Sequence, residues 1–252
     1  MLIIGLAGQA GVGKDEIANY LVRRYGFVKF AFSDALYHEV QQAFGLPDQR
    51  LLRGRAAKDT PSEHMRLARC DNLEFFDMAL KLVKSQDDPL SPRQILQWWG
   101  TEFRRAQDEW YWVGQADKLV YQIHHAPKYP EHRPQLFVET GTRFENERDW
   151  IKLAGGNIWH IHRDGLVGAG DNHTSAIPLP VLDGERELWN NDTLERLYKG
   201  VDLLVSTGSR FVRVEPLEPV LPNGQYYSVQ PDGHKMLCNA DGSRSVFDDV
   251  DE

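Results

Sequence analysis

Apolar positions along the chain alternate between two periods. Leu2-Ile3-Ile4-Gly5-Leu6 is an almost unbroken apolar run, the signature of a strand buried on both faces. From Asp15 to Tyr25 the apolar residues Ile17, Ala18, Leu21 and Val22 fall at helical spacing, and Gly26 stands where a helix C-cap belongs. Residues 27–32 alternate and predict a second strand. Ser33-Asp34 then offers an N-cap for a helix over 35–44, which Gly45-Leu46-Pro47 ends. Leu73, Phe76, Leu80 and Val83 predict one helix over 65–85, broken by Asp87-Asp88-Pro89. Ser91 as N-cap and Pro92 at the first helical position start another, which carries Ile95, Leu96, Trp98 and Trp99.

Further on, the pattern predicts helices over 111–124, 145–153 and 194–198. It predicts strands over 136–139 and 157–162, and a last core strand over 201–205. Strands alternating with helices give an α/β fold, a mainly parallel sheet covered on both faces. Residues 126–134 hold three prolines and read as a surface loop; residues 163–180 are rich in Gly, Asp and Pro and read as a lid. Past Val214, Glu215-Pro216-Leu217-Glu218-Pro219 reads as a linker. Residues 225–247 then suit a small hairpin turning at Pro231-Asp232-Gly233 or Asp241-Gly242.

Composition adds exclusions. With 252 residues, 41% hydrophobic and 26% charged, one α/β domain with insertions fits, and so do two small domains. The net charge of −8 removes any general electrostatic case for wrapping nucleic acid or coating an anionic membrane. Two distant cysteines, Cys70 and Cys238, suit a reducing compartment without a disulfide frame. The N-terminus lacks a signal peptide's basic start, and no apolar stretch is long enough to span a bilayer, so the expected location is the cytoplasm.

The strongest chemical signal follows the first strand. Gly8 to Asp15 reads GQAGVGKD, a G-x-x-x-x-G-K loop between a strand and a helix. Backbone N–H groups converge on a phosphate only where side chains stay clear, and Gly8, Gly11 and Gly13 leave that room around Val12. Lys14 supplies a point charge for the outer phosphates. Asp15 stands where Ser or Thr is usual; its carboxylate suits Mg²⁺, but its charge requires a cation from elsewhere to offset it.

A second segment, Ser91 to Arg105, carries Arg93, Gln97, Thr101, Glu102, Arg104 and Arg105, with Arg93 and Gln97 four apart on one helix face. Such a face can grip a phosphate and a base edge. The bland alternative is an amphipathic helix whose tryptophans pack inside and whose arginines face water. The histidines at 124, 125, 132, 160 and 162 come with no ligand pattern and are read as structural.

The ordered set of segments resembles the phage deoxynucleoside monophosphate kinases. The G-K-D loop, Phe32-Ser33-Asp34, S-P-R-x-I-L-Q-x-x-G-T-E-x-x-R-R, Trp112-Val113, Arg143-Phe144-Glu145-Asn146-Glu147, Arg163, His173-Thr174-Ser175 and Asn191-Asp192-Thr193 follow in that family's order over roughly residues 1–205. The G-K-D loop alone is also similar to phosphomevalonate kinases. The resemblance implies a P-loop kinase-like three-layer fold. Its parts are a kinase domain over 1–214, a helical acceptor-binding insertion over about 46–125, a lid over about 163–180 and an appendage over 215–252.

The resemblance implies transfer of the γ-phosphoryl group of ATP to a deoxynucleoside 5′-monophosphate, with Mg²⁺ as cofactor. Gly8, Gly11, Val12, Gly13, Lys14 and Asp15 are then the ATP-binding residues. Lys14, Arg143 and Arg163 are the catalytic set, and Asp34, Arg93, Gln97, Thr101, Arg105 and Trp112 contact the acceptor. The family's Asp two residues before Arg143 is Gly141 here, and Glu139 is the candidate to serve with Asp15 as the acidic group near Mg²⁺. Tyr37 stands where the family has Lys, and Ala176 where it has Glu. The rival readings are a kinase acting on hydroxymethyluracil within DNA, against which the acidic charge speaks, and a nucleotide-binding switch without transfer. A homodimer stays open as an assembly.

Overall fold

The computed structural model describes residues 1–53, 58–126, 135–166 and 177–207, and the backbone of 226–229 and 235–238. These residues fall into two compact units. Among the described residues, the first is built from 1–31 and from residue 117 onward; the second is Phe32–Ala116.

The first unit is a five-stranded sheet in the order β2-β3-β1-β4-β5, with every pair parallel. Its strands are β1 (Leu2–Ala7), β2 (Val28–Phe30), β3 (Leu136–Thr142), β4 (Asn157–His162) and β5 (Arg186–Trp189). On one face lie α1 (Lys14–Tyr25) and α8 (Leu194–Thr207), through a core of Ile17, Leu21, Leu197, Val201 and Val205 against Ile4, Leu6, Val138, Trp159 and Ile161. Burial of each such side chain is worth roughly 1.5–3 kcal/mol. On the other face α7 (Glu145–Leu153) brings Ile151 against Gly5 and Ile158. The sheet is therefore covered on both sides, which is why β1 can be apolar throughout. β1 is the central strand, and the loop after it leaves from the C-terminal edge of the sheet, where ligands of open α/β sheets bind.

The last core strand expected over 201–205 is a correction. Those residues continue α8, a single helix of fourteen residues. Leu197, Val201 and Val205 are buried at a spacing of four, while Leu203 is 61% exposed, a helical period that a five-residue apolar run hides. The fifth strand is instead Arg186–Trp189, whose polar residues concealed it. β3 also runs past its expected end at Glu139 to Thr142, and β2 is only three residues long.

The second unit packs α2 (Asp34–Ala43), α3 (Arg50–Arg53), α4 (Leu73–Ala79), α5 (Pro92–Gln97) and the first part of α6 (Tyr111–His124). Its core joins Phe44, Leu52, Met65, Phe75, Ile95, Trp99, Phe103 and Trp112. Two expectations change here. The single helix over 65–85 is broken into 3₁₀ turns at Glu63–Met65 and Leu67–Arg69, then α4 and a further 3₁₀ turn at Leu80–Leu82. Asn72 starts α4 by accepting the Phe75 N–H at 2.9 Å, so Phe75 and Ala79 face the core and Leu73 is 74% exposed. Ser33 precedes α2 without a side-chain capping bond.

Ser91 caps as expected. It accepts the Gln94 N–H at 3.2 Å, and the Gln94 side chain accepts the Ser91 N–H at 3.0 Å, a complete capping box worth about 1 kcal/mol. Past Gln97 the helix continues as eight residues of π-helix, Trp98–Arg105, a rare form often found at functional sites. Strands β6 (Tyr226–Val229) and β7 (Lys235–Cys238) pair antiparallel, with Val229 opposite Lys235. The two turns considered for this hairpin, the linker before it, the 126–134 loop from residue 127 onward, and His173-Thr174-Ser175 with Ala176 lie outside the described residues. Among the described residues no helix is long and apolar enough to cross a membrane.

Candidate active site

The phosphate loop owes its shape to glycine. Gly8, Gly11 and Gly13 all have positive φ, at 135°, 87° and 102°. At Gly8 a side chain is excluded by space as well, since a Cβ there would lie 2.4 Å from the Ile161 carbonyl oxygen. Gly13 is the N-cap of α1, so the helix's first free N–H groups and the positive end of its dipole face the loop. Lys14 folds back over the rim, its Nζ donating to the Gly8 carbonyl at 2.7 Å and the Gln9 carbonyl at 2.8 Å. Burial and the nearby Arg143 guanidinium push the Lys14 ammonium down from 10.5 to about 8, against the opposing pull of Asp15 and Glu139. Lys14 thus senses the charges of Arg143, Asp15 and Glu139.

Asp15 has the offsetting cation that its position required. Lys29 on β2 donates to its carboxylate at 3.0 Å and to Asn19 at 3.2 Å. The Asp15 side chain is 83% exposed, so this ion pair is weak and exchangeable. Glu139 is fully buried on β3, opposite Gly5 of β1. Its carboxylate accepts the Gly141 N–H at 2.9 and 3.0 Å and the Thr142 hydroxyl at 2.6 Å. A Cβ on Gly141 would stand 3.9 Å from Glu139 Oε1, so this carboxylate occupies the neighbourhood that an acidic side chain at 141 would have used. Both carboxylates act on Lys14, and carboxylate oxygens are hard donors of the kind that suits Mg²⁺.

Arg143 follows β3 and is exposed. Its N–H and that of Phe144 donate to Glu147, at 2.8 and 3.2 Å, which starts α7. Arg163 follows β4 and is also exposed. The next residue, Asp164, is held by Asn191 through two hydrogen bonds of 2.8 and 2.6 Å. Behind this edge, Glu185 sits fully buried between Lys152 at 2.8 Å, Arg148 at 3.2 Å and His160 at 2.6 Å. Burial raises its carboxyl, but hydrogen bonds from Lys152, the Leu182 N–H and His160, with the Arg148 charge, outweigh that and hold it below the usual carboxylate value. His160 is therefore an anchor for the segment entering β5. His162 stacks on Trp189 at 4.7 Å and pairs with Glu187 at 3.0 Å.

In the second unit, Arg93 makes a two-pronged contact with Asp59, its Nη2 at 3.3 Å from one oxygen and its Nε on the other, which holds the Asp59 carboxyl below its ordinary value. Asp34 accepts from Arg53 at 3.2 Å. Arg53 also lies over the Tyr37 ring, 4.2 Å from its centre, and Lys58 donates to the Tyr37 hydroxyl. Arg53 and Lys58 were not among the residues the sequence singled out. The sequence signal for them was the polar, basic stretch over 48–64, with Arg50, Arg53, Arg55 and Lys58, and a Tyr in place of a Lys at 37. The structure brings Asp34, Arg53, Tyr37 and Lys58 together, and Asp59 with Arg93.

Gln97 closes the α-helical part of its helix, and Thr101 lies in the π segment. Its i→i+5 bonding turns Thr101 and Arg105 away from the face that an unbroken α-helix would give them. Arg105 donates to the Glu109 carbonyl at 3.2 Å. Arg104 is committed to Glu39, which also accepts from the Trp99 indole, both at 2.8 Å, and from the Tyr111 hydroxyl at 2.5 Å. Trp112 is 4% exposed, and its indole N–H donates to the Gly100 carbonyl at 2.9 Å. Its one polar donor is thus committed to the π segment.

A glycine-shaped loop at the C-terminal edge of a parallel sheet, with a lysine on its rim and a helix dipole behind it, defines a P-loop protein of the nucleotide-dependent kinase class. Within that class, the chain belongs to the deoxynucleotide monophosphate kinase family, whose model matches residues 53–201. A protein of Acanthamoeba polyphaga mimivirus, named provisionally as a deoxynucleotide monophosphate kinase, is 28% identical over 215 residues, covering 83% of this chain and 99% of its own. The deoxynucleotide monophosphate kinase of Enterobacteria phage T4 is 24% identical over 131 residues, 52% of either chain. That of Escherichia phage RB69 is 23% identical over 135 residues, 53% of this chain and 52% of its own. A solved sugar kinase from a Janibacter species covers 82% of this chain and 96% of its own at 12% identity, with a TM-score of 0.38, too low to argue from.

Proposed function

We propose that this chain transfers the γ-phosphoryl group of ATP to the phosphate of a deoxynucleoside 5′-monophosphate. The observation that carries this reading is the coexistence of a phosphate loop, with Lys14 and Arg143 in electrostatic contact, and a separate set of cations, Arg53, Lys58 and Arg93, gathered around Tyr37 and Asp59. A nucleotide switch has no use for the second set. The names of the viral relatives supply the same acceptor class.

Both reactants are polyanions, so the chemistry is positioning and charge stabilisation. The acceptor phosphate is already ionised and needs no strong base. Lys14 neutralises the outer phosphates of ATP, and Arg143 and Arg163 serve the transferring group. Arg93 grips the acceptor phosphate by its planar fork, with Arg105, Lys58 and Arg53 as further cations. Asp34, Gln97 and Thr101 supply polar contacts to the sugar and base. Asp15 and Glu139 would hold Mg²⁺, which when bound neutralises charge on the phosphates.

Labelled ATP offered with each deoxynucleoside monophosphate, with duplex DNA containing hydroxymethyluracil, and with no acceptor tests this. Labelled diphosphate from at least one monophosphate is expected. Label transferred only to DNA, or only to water, overturns it.

A further inference from the structure

Two consecutive asparagines follow β5, and each reaches back to a different part of the phosphate-binding edge. The Asn190 backbone N–H donates to the His162 carbonyl at 2.8 Å, extending the β4–β5 ladder by one residue. Its side-chain Nδ2 donates to the Val12 carbonyl at 2.8 Å. The same atom lies 2.5 Å from where a Gly13 Cβ would be, so the carboxamide presses on the loop at the position that lacks a side chain. Asn191 holds Asp164, the residue after Arg163.

The bond to Val12 matters because of where it falls. In a planar trans peptide the carbonyl and the next N–H point in opposite directions. Fixing the Val12 carbonyl toward Asn190 fixes the Gly13 N–H on the opposite side of the loop. Gly13, on the far side of this peptide, has a positive φ of 102°. Glycine permits either orientation of such a plane at little cost. A flipped plane presents a carbonyl oxygen where an anion needs a donor. Val12's own side chain is buried in the core of the first unit, which fixes its Cα but leaves the following peptide free to rotate.

We propose that Asn190 is a positioning residue for the nucleotide phosphates: it locks the Val12–Gly13 peptide in its anion-binding orientation. The proposal rests on the P-loop reading and is independent of which acceptor is used. Its test is ATP binding by titration calorimetry to the full chain, with steady-state kinetics for both substrates and a melting curve. Asn190→Asp keeps the shape but puts an acceptor against the Val12 carbonyl; Asn190→Ala removes the donor without adding charge.

For Asn190→Asp the dissociation constants of ATP and of inorganic triphosphate are expected to rise at least about tenfold together. The acceptor KM should stay within about twofold and the melting temperature within a few degrees. Asn190→Ala should give a smaller loss of the same pattern, and it carries the test if the aspartate variant does not fold. ATP binding within twofold of the unaltered chain in either folded variant overturns the proposal. So does a loss of ATP and acceptor affinity in parallel with melting temperature, which marks a purely structural bond. Because ATP binding is read without turnover, absence of kinase activity on monophosphates leaves this measurement intact.

Discussion

The two units hold the groups proposed to bind anions in different states of readiness. In the first, the cradle is backbone, drawn from eight consecutive residues, with positive φ at three glycines and one lysine resting on two carbonyl oxygens of the same loop. In the second, the cations are side chains from separate segments, and each already has a partner: Arg93 on Asp59, Arg53 on Asp34, Lys58 on Tyr37. Backbone donors cost no side-chain entropy to place and bring no counter-charge. Side-chain cations gathered without a ligand repel one another, so the fold supplies carboxylates that an incoming phosphate must displace. On the function proposed above, the first design supplies affinity for any polyphosphate and the second supplies selection.

The comparison breaks first at Lys14. Lys14→Ala should lower kcat by at least about 100-fold with an unchanged melting curve, because no second cation of the loop can take its place. A folded variant with near-normal turnover would sink the assignment. In the second unit the effect should be smaller and confined to one substrate. Arg93→Lys and Lys58→Ala are each expected to raise the acceptor KM about tenfold and to leave the KM for ATP nearly unchanged, since a bidentate or desolvated phosphate contact is worth about 1.5–3 kcal/mol. Equal changes in both constants would mean these cations serve the fold alone. Arg105→Lys should follow the same pattern.

The two regions also differ in response to pH. Lys14 in the free protein loses its proton near pH 8, so its charge is present below that pH and absent above it. The kcat/KM for ATP, which reports the free enzyme, should therefore fall about tenfold per unit above pH 8. The fall should disappear in Lys14→Arg. The corresponding constant for the acceptor at saturating ATP should show less of it, because bound phosphate favours the charged lysine.

Asp15→Asn should weaken apparent Mg²⁺ affinity a few-fold, more than it weakens ATP binding. An unaltered Mg²⁺ titration would leave Asp15 as no more than a first-turn charge paired to Lys29. The smallest effect belongs to Trp112. Trp112→Phe removes one buried hydrogen bond and should cost about 1 kcal/mol of stability, read by denaturant midpoint, with the acceptor KM unchanged. A raised KM without destabilisation would restore Trp112 to the acceptor site.

What was legible in the chain was whatever is local. The P-loop needs three glycines and a lysine at fixed offsets between a strand and a helix, and all are adjacent in sequence. The Ser91 capping box, α6, α7 and β4 are also local, because caps and helical or strand periods act within a few residues. The misreadings lie where tertiary context decides. Residues 201–205 suited a strand or a helix by apolarity alone, and only packing on the sheet at a spacing of four made them helical. Arg186–Trp189 became a strand because β4 offered an open edge, whatever its own polarity.

The sequence by itself determined the phosphate loop, the parallel α/β plan and the arginine-bearing segment, because short-range sterics and periodicity dictate them. Only the tertiary structure decided that Lys29 answers the charge of Asp15. The same holds for Arg53 and Lys58 meeting at Tyr37, and for Asn190, which crosses 178 residues of chain to hold the loop. Each of these pairs groups on separate segments of the fold. No offset along the chain encodes such a pairing; it exists only once the sheet order and the packing of both units are set.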